Sequence, residues 1–197
     1  MAKTSNLVTI GLRAKTGRAI AVVLAGSVDS PLVVRKFEIK LTDPRIPATF
    51  QPYHEVMELP WAESQKAAGK WVRAIEAVAR QAFTKLIKEL EADGFKVAGT
   101  GVVGSKDQDL ERIGNYHIRA HAAEGILFRR VLELAAEARG LRTQTFPDRE
   151  LERTAASELK LSPAAIKQVL IDLGRSLDPP WRAGEKQAAL AAWLTLK

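Results

Sequence analysis

The stretch Val8–Leu24, VTIGLRAKTGRAIAVVL, reads as a strand, a short basic turn and a second strand. Two β-rich runs, Leu7–Leu12 and Ala19–Leu24, flank RAKTGR, and Gly17 suits a tight hairpin connection. Arg13 and Lys15 stand at the tip of the first strand. What two cations do there is the question on which a functional reading turns.

Outward from the hairpin, PLVVRKFEIKL alternates with period two. Val34, Lys36, Glu38 and Lys40 fall on one face, and Phe37, Ile39 and Leu41 on the other. This is a strand with one wet side, at or near a sheet edge. Next comes TDPRIPATFQPYHEVMELP, where Pro44, Pro47, Pro52 and Pro60 interrupt regular structure and predict a long loop over 42–60. A loop of that length in a compact domain is functional or packs as a lid. Tyr53 and His54 lie within it. They read as part of a pocket lid or, the favoured account, Tyr53 joins Val56, Met57 and Leu59 in anchoring the loop.

WAESQKAAGKWVRAIEAVARQAFTKLIKELEADG predicts a long amphipathic helix with Trp71, Ile75, Val78, Ala82, Leu86 and Leu90 as its apolar stripe and Gly94 ending it. Phe95–Val103 is a buried-strand candidate, and SKDQDLERIGN a second loop. HIRAHAAEGILFRRVLELAAEARG is a second helix closed by Gly140, and LRTQTF a short strand. PDRELERTAASEL predicts a helix with Pro147 near its first turn. In LSPAAIKQVLIDLGRSL, Ser162 is a good N-cap and Pro163 a good first helical residue. GEKQAALAAWLTLK is a final apolar helix. Three hairpin-linked strands followed by α/β alternation imply a mixed sheet with helices packed on it. A doubly wound nucleotide fold would begin βαβ.

The 197 residues suit one domain, 1–197, with a substantial core; 46% are hydrophobic and 27% charged. No apolar run approaches the roughly 18 residues that cross a bilayer. MAKTSN is a polar start without an apolar stretch behind it, so the expected location is cytoplasmic, with no membrane partner. With 0 cysteines, disulfides, thiolate metal sites and a cysteine nucleophile are excluded. The formal net charge of +7 favours a polyanionic partner. The basic residues are nevertheless scattered, as in KTGR, VVRKFEIK and EGILFRR, and a solvated surface explains that spread equally well.

This order of elements resembles the ribonuclease H-like superfamily, an α/β fold with helices on both faces of a mixed sheet. The second half, from AHAAEGILFRRVLELAAEARG through ELERTAASELKLSPAAIKQVLIDLGRSLDPPW to AALAAWLTL, is similar to Holliday junction resolvases of the RuvC type. IGLRAKTGRAIAVVL resembles the first resolvase hairpin. Asp43 to Pro60 has no obvious counterpart. The resemblance implies two divalent metals held by four carboxylates, which hard cations prefer. On that pattern Arg13 stands at the first aspartate and Gly101 near the glutamate of the fourth strand. Glu185 and Ala188 stand at the pair on the last helix. One carboxylate in four cannot hold a metal pair, and a guanidinium among them repels one. The resemblance therefore implies a degenerate nuclease site.

Two further patterns concern other chemistry. His117, His121 and Glu124 in HIRAHAAE lie at i, i+4 and i+7 on one helical face. That spacing fits a divalent metal such as zinc, or a solvated polar face. Arg119 lies off that face and is a phosphate contact or a solvated arginine. GTGVVG, Gly99–Gly104, fits GxGxxG, but polar SKDQDLE follows where a nucleotide fold needs a helix; close helix–strand packing is the plainer account. The four tryptophans are spaced as packing residues, not as a stacking platform. Three readings follow. The favoured one is a non-catalytic resolvase relative that binds nucleic acid through Arg13, Lys15, Arg18 and Arg119, with no cofactor. The second is a metal-dependent enzyme with a relocated site of His117, His121 and Glu124. The third is an interaction or scaffold protein, a homodimer as related resolvases are.

Overall fold

The computed structural model describes residues 6–175 and 177–197, so MAKTSN up to Ser5 lies outside the described residues. Strands β1 (Leu7–Lys15), β2 (Arg18–Ser27) and β3 (Ser30–Lys40) come first, joined as antiparallel hairpins. The 42–60 segment follows, with two single turns of 3₁₀ helix at Pro47–Thr49 and His54–Val56. Then come α1 (Trp61–Ala92), β4 (Lys96–Gly104), α2 (Tyr116–Glu137) and β5 (Arg142–Pro147), and finally α3 (Leu151–Leu159), α4 (Pro163–Gly174) and α5 (Ala183–Thr195). The sheet order is β3-β2-β1-β4-β5, with β1, β4 and β5 parallel. β3 is an edge strand, as expected, but Val34, expected on its wet face, packs on the same core as Phe37, because the ladder with β2 shifts register there. Among the described residues no helix is long and apolar enough to cross a membrane.

The first hairpin is longer than its apolar runs. Lys15 pairs with Arg18, so the connection is Thr16–Gly17, with Gly17 at φ +72°. Arg13 and Lys15 are therefore inside the ladder, not in the turn, because backbone pairing continues whatever the side chain's polarity. Alternation along β1 then decides the layers. Val8, Ile10, Leu12 and Ala14 join a core with α1 and α2. On the opposite face Thr9 donates its hydroxyl proton to the Ala192 carbonyl of α5 at 2.8 Å. A Cβ placed on Gly11 would lie 1.8 Å from the Ala188 carbonyl oxygen, and one on Gly101 2.6 Å from that of Ala191. The alanine-rich α5 thus rests directly on the backbones of β1 and β4. Leu151, Ala155, Ile166 and Leu170 of α3 and α4 complete this second core. Helices cover both faces.

Two expectations need correction. Pro147 ends β5, opposite Gly104, and α3 starts only at Leu151; a proline suits the end of a strand as well as a helix start. The α1 stripe is rotated from the expected one. Ile75, Ala79, Phe83, Leu86 and Leu90 are buried, whereas Trp71, Val78 and Ala82 flank this row and stay half-buried. Gly94 terminates α1 at φ +84°, and Ser162 caps α4 by accepting from the Ala165 amide.

Candidate sites: a basic cleft and a histidine cluster

The parallel strands β1, β4 and β5 all end on one side of the sheet, and the 42–60 segment begins there. Between them lies a cleft of about 770 Å³, bordered by Arg13, Lys15, Arg18 and Lys40 and by the carboxylates Glu38 and Asp148. Asp148, the residue after β5, is held there by its amide donating to the Gly104 carbonyl at 3.1 Å. Its Oδ2 accepts from Arg13 Nη2 at 2.8 Å, and Oδ1 lies 2.7 Å from Nη1. The Nη2–Oδ2 contact is a hydrogen bond, whereas Asp148 Oδ1 and Arg13 Nε are buried without hydrogen-bond partners. Arg18 meets Glu38 at 3.4 Å. Among the described residues Lys15 and Lys40 have no carboxylate partner, and both are exposed.

The other positions singled out by the family pattern do different work. Gly101 and Ala188 are contact points between sheet and α5. Glu185 accepts the Arg182 backbone N–H at 3.0 Å, closing the first turn of α5. It borders a second recess of about 420 Å³, beyond Lys15 and Arg18. Arg119 is neither solvated nor at the cleft. It is buried, with Nη2 3.4 Å from the Leu59 carbonyl and its guanidinium 5.0 Å from the Tyr116 ring and 5.9 Å from that of Trp61. The docking of α2 on the 42–60 segment covers it, a contact that no local pattern announces.

That docking also brings together all 3 histidines of the chain. Asn115 caps α2, and His117 and His121 follow one turn apart, with their Nε2 atoms separated by 3.0 Å. His54 joins from the 42–60 segment, its ring centre 5.0 Å from His117 and 4.4 Å from His121. One ligand nitrogen from each of the three lies within 4.8 Å of the others. Glu124 is not the third member of this group. It is 1% exposed, and its Oε1 accepts from His54 Nδ1 at 2.8 Å and from the Tyr53 and His54 amides at 3.2 Å. Burial, with the Glu124 charge second, pushes the Tyr53 phenol up from its ordinary value. The set expected from helical spacing thus keeps both helix histidines, gains His54 and moves Glu124 behind it.

Sequence reasoning missed Asp148, and it read His54 as part of a pocket lid or an anchored loop, not as a partner of the helix histidines. Asp148 was findable as the residue just past a strand parallel to β4. His54 was findable as the third of three histidines.

No protein-family profile matches the chain, and no curated protein matches it in sequence. Among solved structures it is similar to Thermus thermophilus RuvC, with a TM-score of 0.50 and 13% identity over 95% of this chain and 92% of that one. T. thermophilus RuvC in complex with a Holliday junction substrate gives 0.49 and 14%, over 95% and 91%. A Ppx/GppA family member from Aquifex aeolicus gives 0.36 and 14%, over 79% and 40%. The fold is ribonuclease H-like, as the order of elements implies.

Proposed function

We propose that the protein is a non-catalytic ribonuclease H-like protein that binds nucleic acid in the cleft at the ends of β1, β4 and β5. The observation that carries this reading is the charge of that cleft. Four cations border it against two carboxylates, and Lys15 and Lys40 have no acidic partner among the described residues. Unpaired ammonium groups beside an open groove neutralise phosphates and release counterions, which drives association. Arg13 does not contact the strand in this reading. It is held by Asp148, where it opposes a divalent cation and keeps the cleft positive. Arg119, buried against Leu59, is left out of the binding face.

The test is fluorescence anisotropy with labelled duplex, four-way-junction and single-stranded DNA and with RNA, between 50 and 200 mM salt. Three phosphate contacts by Lys15, Arg18 and Lys40 to a duplex predict an affinity loss of about 40-fold across that range. The triple charge reversal Lys15→Glu, Arg18→Glu, Lys40→Glu should abolish binding. Binding that survives the triple variant removes the cleft from the interface. No binding at 50 mM salt overturns the reading in favour of the homodimeric scaffold, and cut product with magnesium or manganese overturns its non-catalytic part.

A further inference from the structure

We infer that His54, His117 and His121 form a binding site for one divalent transition cation of the zinc type, with Glu124 as the positioning residue behind His54. The site is distinct from the cleft and does not depend on nucleic-acid binding.

The tautomers point to it first. Glu124 Oε1 already accepts two backbone N–H groups, and it lies 2.8 Å from His54 Nδ1. A carboxylate so placed accepts a hydrogen bond from Nδ1–H and leaves the lone pair on Nε2, the arrangement that carboxylates impose on metal-bound imidazoles. Nε2 of His54 is buried and has no hydrogen-bond partner among the described residues. A buried acceptor without a partner is costly to the folded chain. A cation beside it removes that cost.

Charge points to it next. Glu124 Oε2 is also buried without a hydrogen-bond partner, and among the described residues the ion-pair partner of this carboxylate is His54. A nearly inaccessible carboxylate with one oxygen left unbonded is poorly compensated. A dication on the far nitrogen of the same ring supplies the missing charge through the imidazole.

Geometry agrees. Zinc–nitrogen bonds of about 2.0–2.1 Å at tetrahedral angles place ligand nitrogens about 3.3 Å apart. Nε2 of His117 and His121 are 3.0 Å apart, and a nitrogen from each ring falls within 4.8 Å of the others, so small side-chain rotations close the site. Three imidazoles favour zinc, cobalt, nickel or copper over magnesium or calcium. His117 and His121 are exposed, which leaves a fourth position facing solvent for water or an anionic oxygen.

Protein stripped with chelator and then dialysed free of it should be titrated with Co²⁺, followed by visible absorption, and with Zn²⁺ against a chromophoric chelator. The expected result is one ion per chain with tetrahedral Co²⁺ bands, undisturbed by millimolar Mg²⁺. His117→Ala and His121→Ala change exposed residues and keep the far-UV circular dichroism spectrum; each should weaken binding at least 100-fold. Glu124→Gln should weaken it about 10–100-fold with all three imidazoles retained. No binding at 1 mM metal, or binding unaffected by His117→Ala and His121→Ala, overturns the inference.

Discussion

In the cleft, Arg13 and Asp148 meet at two short contacts, and Asp148 in turn is held by the Gly104 carbonyl. In the histidine cluster, Glu124 is more deeply buried than either, yet one of its oxygens and the outer nitrogen of its partner His54 are left without hydrogen bonds. The first site pairs its central guanidinium with a carboxylate of the same chain. The second resembles no family motif and retains unused coordinating capacity. What distinguishes them is where the compensating charge comes from. A guanidinium brings a full positive charge to its carboxylate, whereas an imidazole does so only when a proton or a cation joins it.

The substitution with the largest effect strikes the strand that carries the cleft arginine. β1 carries Arg13 into the cleft and lies under α5, so Gly11→Ala drives a methyl against the Ala188 carbonyl. The expected loss is about 3 kcal/mol, the upper end for overpacking, measured by denaturant unfolding. A loss below about 0.5 kcal/mol would mean that α5 does not rest on the strand. Next, Glu124→Ala strips the acceptor from two backbone amides and from His54. In metal-free protein this should cost about 2–3 kcal/mol and speed proteolytic cleavage between residues 51 and 60. Unchanged cleavage would show the segment to be held by its apolar contacts alone.

A smaller effect tests the pairing in the cleft. Arg13→Met alone should cost about 1–2 kcal/mol, because the pair is only partly buried, with side-chain exposures of 17% and 33%. Adding Asp148→Leu should restore most of that loss. A double variant no better than Arg13→Met would mean that Asp148 is not the reason for the arginine. The smallest effect lies in the 42–60 segment, which joins the two regions. Arg45 donates to Asp43 from its side chain and its amide and holds that carboxyl at about 2, below its ordinary 3.8. A folded value below the unfolded one stabilises the folded chain above pH 4 and is lost as pH falls through about 2. In Arg45→Ala the Asp43 midpoint, followed by NMR, should rise toward the ordinary value. A midpoint left near 2 would assign the shift to something other than the Arg45 side chain.

Much of the fold was legible. β-rich runs, with period-two alternation in β3, placed the five strands, and Gly94, Gly140 and Ser162 placed three helix ends, because these signals act within a few residues. The errors came where one residue type suits two structures, as with Pro147, or where a helix has several apolar residues to choose among, as α1 does. The site was legible by half. His117 and His121 share a helix, so their spacing sets their distance. His54 meets them, and Arg119 is buried, only because the 42–60 segment folds back on α2.

By itself the sequence determined the hairpin start, the alternation that builds the mixed sheet, the absence of thiol chemistry and the helical pairing of two histidines. Each follows from backbone geometry or composition, which neighbours along the chain set. Tertiary structure alone decided that Arg13 is answered by Asp148, that Gly101 and Ala188 are packing surfaces, and that Glu124 stands behind a third histidine. Those contacts join segments far apart in the chain, and no local periodicity encodes which of many candidate partners the packing will bring within 3 Å.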